Sequence, residues 1–368
     1  MNSRQKRPLP ESLDRSCVAV LLAACAGLFG LAGCETTAVP RKHSIGAQKT
    51  LHCFTAPHAC GYPDPRYGTA GAQSACSTLP TSGSIATGAA GQTITDLNVI
   101  GTITVRNPGV TIANVCVTTN GGGRFGSAAI SLQGGARNTL IAYATIRGAN
   151  KSNHSVESAV VNRSGGPATL SHSYLHSCGE CIHDSWTVND SYVISDGMRG
   201  TRDHVEDVYY DSPGGGNFHH DVLLNPRAQT AVIFGDNVGG GPCASRLTLT
   251  NSLIAGGALS VWSCGAMKSS RVGSSRINIS HNAWARCTTP PFVHNRVTGG
   301  TTCRGKAGSS IGVGADSHGY WRLVGYKWPT DLQYCPPVRY QIFADNWYDD
   351  TGAPVKCPNP WGPQKRRR

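Results

Sequence analysis

Methionine is scarce in this 368-residue chain, at three. Past the first thirty-four residues there is no long amphipathic helical pattern, which argues against a helical bundle. There is no basic stripe interleaved with aromatics, so nucleic acid is not an expected partner. No βαβ pattern surrounds the one Cys-x-x-Cys pair, Cys178 and Cys181, so a thioredoxin-like redox role has no support. No cofactor is expected; calcium is the alternative, though no clean Asp-rich set supports a site for it.

What is present begins with an export signal. Arg4, Lys6, Arg7 and Arg15 precede an apolar run from Cys17 to Gly33, which ends in Leu31-Ala32-Gly33-Cys34. A charged head, an apolar stretch and small residues at a cleavage point form a secretory leader. The run is short for a permanent span, which needs about 20 residues. Leu-Ala-Gly-Cys resembles the bacterial lipobox, which implies lipidation at Cys34 and a membrane anchor there. The alternative is an ordinary secretory leader with a chance cysteine.

Of fifteen cysteines, Cys17, Cys25 and Cys34 fall within this segment, leaving twelve, an even number. In an exported chain that reads as a disulfide framework and an oxidising compartment, with the pairing open. His172, His176 and His183 flank Cys178 and Cys181, so zinc is the alternative fate of that pair. The net charge of +12 owes much to the leader and to Lys365-Arg366-Arg367-Arg368. The moderate remaining excess of base suits a polyanion such as an acidic polysaccharide without requiring one.

Glycine is abundant at 45 residues, and short β-branched runs recur between Gly and Asn. Examples are Thr111-Ile112-Ala113-Asn114, Thr139-Leu140-Ile141-Ala142, Thr169-Leu170-Ser171-His172, Thr187-Val188-Asn189-Asp190, Thr248-Leu249-Thr250-Asn251 and Asn278-Ile279-Ser280-His281. With Leu140 as the second anchor, the apolar positions stand 28, 30, 18, 61 and 30 residues apart. Strands too short to bury their own apolar face, repeated with variable insertions, indicate a stacked solenoid. Asn and Gly at corners suit left-handed backbone angles. The expected fold is all-β, a right-handed parallel β-helix with disulfide-rich terminal caps. Its organisation reads as a leader over 1–33, a tether over 34–50, an N-terminal cap over 51–90, the β-helix over 91–300, and a Cys- and Trp-rich end with a basic tail over 301–368. A monomer is expected.

Three stretches then carry a resemblance. They are Cys53-Phe54 through Cys60-Gly61-Tyr62-Pro63-Asp64-Pro65, Asn251-Ser252-Leu253-Ile254-Ala255-Gly256-Gly257, and Asp345-Asn346-Trp347-Tyr348 through Val355. They resemble secreted actinobacterial right-handed parallel β-helix proteins of the pectin lyase-like superfamily. That resemblance implies a polysaccharide partner and a lyase or glycoside hydrolase of acidic sugars. The alternative is a non-catalytic carbohydrate-binding or envelope-structural protein, because fold alone does not assign function.

Candidate chemistry concentrates between Asp196 and Arg227, read as a polar insertion between rungs. Side chains alternate along a strand, so His219 and Asp221 are expected to share a face, with His220 on the other. With Asp203, His204 and Arg227 they form the candidate catalytic set, and Arg199 and Arg202 the candidate substrate-binding pair. His219-His220-Asp221 resembles a His-x-Asp segment of the superfamily, while Asn-Thr-Asp and Gly-His-Gly are absent. A positioned base with a cation nearby suits proton abstraction next to a uronate carboxylate, and two carboxylates suit hydrolysis.

The lipobox makes a direct prediction. Cys34→Ala is expected to release the protein from the membrane fraction, because acyl chains would supply the attachment. Fractionation and lipid labelling of both forms check it.

Overall fold

The computed structural model describes residues 53–122, 126–152, 154–197, 205–210, 215–225, 231–235, 246–256, 259–262, 276–285, 341–349 and 352–354. Cys34, Arg199, Arg202, Asp203, His204 and Arg227 lie outside the described residues, as do the leader, the tether and the basic tail.

The described chain is a parallel β-solenoid. Each strand pairs in parallel with its equivalent one coil later, giving a sheet of 17 strands and a second of eight. Among the described residues the only helical pieces are single 3-10 turns at Pro57–Cys60, Pro65–Tyr67 and Cys76–Thr78. No helix there is long and apolar enough to cross a membrane.

The larger sheet folds into two walls. One is built from strands such as Ala168–Ser171, Thr187–Asn189, Gly215–His219 and Arg246–Thr250. The other follows each of these directly, through Tyr174–His176, Tyr192–Ile194, Val222–Asn225 and Leu253–Gly256. The eight-stranded sheet closes the coil, with Ser158–Asn162, Glu180–His183 and Glu206–Tyr210 among its strands. Alternation along each strand sends every second side chain inward. On the first wall Ile112, Ile141, Leu170, Val188, Phe218, Leu249 and Ile279 therefore stack in one file, all essentially without exposure. Burying each such side chain contributes about 1.5–3 kcal/mol.

Two details of the repeat differ from the sequence reading. The inward anchor of its coil is Ile141, which pairs with Ile112 and Leu170, whereas Leu140 faces solvent. The 61-residue gap also hides a rung. Gly215–His219 pairs with Thr187–Asn189 on one side and Arg246–Thr250 on the other, with Phe218 as its buried anchor. The polar stretch therefore contains a rung of the solenoid. Its glycines disguise it: a Cβ on Gly216 would lie 1.8 Å from the Tyr210 hydroxyl, so glycine is what lets the buried Tyr210 fold in beside Phe218.

Between the first two walls every coil turns at one residue with positive φ. The series runs Asp96, Asn114, Tyr143, His172, Asp190, His220, Asn251, His281 and Asp345. Asn and Asp tolerate this left-handed region best, and a column of such corners explains the recurring Asn/Asp/His after each β-branched run.

Of the segment read as an N-terminal cap, residues 53–76 run along the flank of the solenoid as a strap, from late coils back to early ones. The Phe54 N–H donates to Asp349, Tyr62 packs beside Ala283, and the Gly61 carbonyl meets His220. The Gly71 N–H donates to the His172 carbonyl, the Ser74 N–H to Asn114, and Cys76 is joined to Cys116. Gly71 has φ +98°, and a Cβ there would press on Thr145 and Tyr174. Beneath the strap the second wall turns Val222, Leu224, Leu253 and Ala255 outward, against Cys53, Phe54 and Tyr62. That wall is buried on both faces, which is why Val222-Leu223-Leu224 reads as a continuous apolar run.

Three disulfides lie among the described residues: Cys53–Cys60, Cys76–Cys116 and Cys178–Cys181. They indicate an oxidising, extracytoplasmic environment. Cys243, Cys264, Cys287, Cys303, Cys335 and Cys357 lie outside the described residues. The Cys76–Cys116 bond closes a 40-residue separation. Replacing both cysteines by Ser is expected to lower stability by about 2–4 kcal/mol. Denaturant unfolding of the oxidised proteins checks this.

Candidate functional site

Among the described residues the outer surface of the first wall is a largely exposed sheet face, with Ser280 alone of its polar outward residues buried. On five successive rungs its outward pairs are Thr169/Ser171, Thr187/Asn189, Asn217/His219, Thr248/Thr250 and Asn278/Ser280. Every one of these side chains ends in a hydroxyl, an amide or an imidazole. The rung before carries Leu140 and Ala142, and the rung after carries Ile342 and Ala344, with Leu140 and Ile342 exposed. A polar field about five rungs long, at about 4.8 Å per rung, is thus bounded by apolar residues at both ends.

His219 stands on the middle rung and, with Asn217, is the most exposed part of the field. Its Nδ1 lies 3.0 Å from Thr250 Oγ1 and 3.5 Å from the Asn251 amide. With Nδ1 so engaged, Nε2 is the ring nitrogen available to a ligand. The field borders the corner column, where a second polar group forms. There Asp190 Oδ1 is 2.6 Å from His220 Nδ1, and Asp190 Oδ2 is 3.9 Å from His172 Nε2. Tyr143 stacks on His172 with ring centroids 4.8 Å apart, and Ser171 Oγ is 2.7 Å from His172 Nδ1. Burial favours a neutral Asp190, but the hydrogen bond and the charge of His220 outweigh it and hold the carboxyl below its usual range.

Asp221 lies elsewhere. Strict alternation would put it beside His219, but His220 sits at a corner with φ 58°, and the chain turns there. His219 therefore stays outside while Asp221 enters the interior with no exposed surface. Inside it joins a ladder of buried polar side chains, each accepting the backbone N–H of the coil before. Ser191 Oγ accepts from Ser173, Asp221 Oδ1 from Ser191, Ser252 Oγ from Asp221, Asn282 Oδ1 from Ser252, and Asn346 Oδ1 from Asn282. The two asparagines also donate from Nδ2 to carbonyls of the preceding coil, Leu249 and Ile279. Asp221 Oδ2 finds no partner among the described residues, and burial raises the carboxyl's pKa well above the ordinary value. Asp207 repeats the pattern: Oδ1 accepts from Ser195, Oδ2 is unpartnered, and burial raises its pKa likewise.

Of the sequence-predicted site residues, the structure thus describes His219 and Asp221 and puts them on opposite sides of the wall. Asp203, His204, Arg227, Arg199 and Arg202 lie outside the described residues. The Thr and Asn members of the polar field were not singled out from sequence, although they are the outward positions of the repeat itself. At Cys178 and Cys181 a disulfide forms in the interior. The neighbouring histidines go separate ways: His176 stacks on Tyr174, with burial pushing it down to about 4, and His183 lies by Glu180 and Tyr209. No cluster of three or more His, Cys, Asp or Glu positioned for a metal ion is found among the described residues.

Comparison with protein-family models, with curated proteins and with solved structures finds no match to this chain.

The ladder generates a prediction for Asp221→Asn. An asparagine there supplies a donor where Asn282 and Asn346 supply theirs, and removes a carboxyl whose folded pKa is raised. Such a group makes wild-type stability fall as pH rises from the unfolded pKa toward the folded one. The variant is expected to be more stable near pH 7 by about 1–3 kcal/mol, the usual cost of an unsatisfied buried polar atom. Its melting temperature should also lose part of the wild type's decline between pH 4 and 7, and thermal melts across that range check both.

Proposed function

We propose that this protein is an extracytoplasmic polysaccharide-engaging β-helix protein of the pectin lyase-like kind, anchored through a lipid on Cys34, and that the polar field around His219 is its glycan-binding surface. One observation carries the reading: five consecutive rungs turn only hydroxyl, amide and imidazole side chains outward, with apolar rungs on either side. A polysaccharide repeats donors and acceptors along its length, and the field repeats complementary groups along the solenoid axis. The match is between two linear, periodic arrays of neutral hydrogen-bonding groups.

Within this proposal His219 is the acid–base group, because its Nε2 is free to meet a sugar hydroxyl or an acidic C–H. If the protein is a lyase or hydrolase, Asp203, His204 and Arg227 supply the partners of His219. Arg199 and Arg202 then pair with the carboxylates of an acidic sugar. Asp221 supports the non-catalytic alternative, since a buried ladder residue does not provide the second carboxylate that hydrolysis across a glycosidic bond requires.

The test uses the exported protein against a panel of uronate-containing and neutral polysaccharides. Affinity, new unsaturated ends and new reducing ends are each measured. Asn217→Ala with His219→Ala is expected to weaken binding about tenfold or more, with melting nearly unchanged because exposed substitutions usually stay within about 0.5 kcal/mol. If turnover is seen, His219→Ala alone should lower it about a hundredfold, the typical worth of a positioned acid or base. Unchanged affinity and turnover in both variants would refute the assignment of the face. For an acidic glycan, Arg199→Ala, Arg202→Ala and Arg227→Ala should weaken binding in a salt-sensitive way.

A further inference from the structure

His220 touches two acceptors at once. Its Nδ1 is 2.6 Å from Asp190 Oδ1 on the neighbouring coil, and its Nε2 is 2.8 Å from the Gly61 carbonyl oxygen of the strap. A backbone carbonyl only accepts, and an ionised carboxylate only accepts. A neutral imidazole carries one N–H, so it can serve one of these partners while its other nitrogen opposes a lone pair. Both contacts are made only when both nitrogens carry protons. We propose that His220 is an imidazolium latch that fastens the strap to the corner column, and that loss of its proton unfastens the strap at Gly61.

The surroundings favour that cation. Among the described residues Asp190 is the one ionised group in contact with His220, and its hydrogen bond and charge raise the imidazole's affinity for the proton against the opposing effect of partial burial. His172 is 3.9 Å from the far oxygen of Asp190, and the His219 ring is 6.5 Å away; both are competing cations when protonated. Tyr62 of the strap stacks against His220 at 5.9 Å and is kept neutral by burial, and burial likewise raises the pKa of the Asp221 carboxyl inside the wall. Elsewhere on the strap, Arg66 is paired with Asp64, and His58 stacks on Tyr67. Asn251, on the following corner, is uncharged.

The sign follows from a pKa that is raised on folding. Below the unfolded value of about 6.5 the latch contributes fully, and its contribution is lost as pH rises through the folded value. Elsewhere the strap is held by the Phe54–Asp349 hydrogen bond on one side of Gly61, and on the other by the Gly71, Ala72 and Ser74 N–H groups bonded to His172, Thr145 and Asn114 and by the Cys76–Cys116 bond. Unfastening at Gly61 therefore loosens the stretch between Phe54 and Gly71, while the contacts on either side of it stay in place.

The experiment is a pH titration of the folded, exported protein. Nitrogen NMR of the histidine rings reports which nitrogens carry protons, and hydrogen–deuterium exchange reports protection of residues 57–70, corrected for the intrinsic pH dependence of exchange. His220 should be doubly protonated at pH 6 and titrate above an ordinary histidine. Protection across the strap should fall about tenfold through that same titration, as loss of a charge-assisted hydrogen bond implies. Asp190→Asn should lower the His220 titration and carry the strap transition down with it, while His220→Gln should make strap protection independent of pH. A singly protonated His220 at pH 6, or strap protection that ignores the ring's titration, would overturn the latch. Should either variant fail to fold, the wild-type titration alone decides.

Discussion

Everything in this solenoid hangs on how its first corner satisfies buried backbone. A chain that turns sharply between two walls of one sheet carries N–H groups past the bend into the interior, where they must find acceptors. Here the bend is made by one left-handed residue, and from His172 onward the residue immediately after it is a short polar side chain turned into the interior. Its oxygen takes the N–H of the coil before. Ser173, Ser191, Asp221, Ser252, Asn282 and Asn346 do this in succession. From His172 onward the corner thus fixes two columns of residue type, Asn, Asp or His outside and Ser, Asn or Asp inside. The apolar files on either side are free to vary among Ile, Leu, Val and Phe.

That constraint explains which parts of the fold could be read from sequence. The recurring β-branched run followed by Asn or His is the corner seen in one dimension, so the solenoid and its coil length were legible. Register was less so. Thr139-Leu140-Ile141 offers two adjacent apolar residues, and only pairing with Ile112 and Leu170 shows that Ile141 is the one turned inward. The coil of Gly215–His219 was hidden because its only large apolar residue is Phe218 and its neighbours are glycines and histidines. The interior there is filled by Tyr210 from another wall, a contact between strands that no local pattern displays.

The candidate site was legible in the same uneven way. His219 was found because a histidine within a polar stretch stands out, whereas the Thr and Asn residues around it look like ordinary turn and strand residues. Their meaning lies in coils stacked 30 or 31 residues apart, a separation the ladder bonds record directly. The strap was not legible at all. Cys53 to Cys76 looks like a disulfide-pinned end cap, and nothing local in it says that Gly61 will meet a histidine 159 residues away.

Asp190 and Asp221 show how thin the boundary is. They belong to adjacent coils on either side of one corner, and each is bonded to a neighbour along the axis. Asp190 is half-exposed and held by His220, so it keeps its charge. Asp221 is fully enclosed, with one oxygen accepting a backbone N–H and the other facing a place where its asparagine counterparts present a donor. Two carboxyls of the same chemistry are driven in opposite directions by a single sheet wall between them. The enclosed acid keeps the ladder continuous. The anion outside sets the charge of the histidine that holds the strap, so one corner couples the packing of the interior to the attachment of the surface.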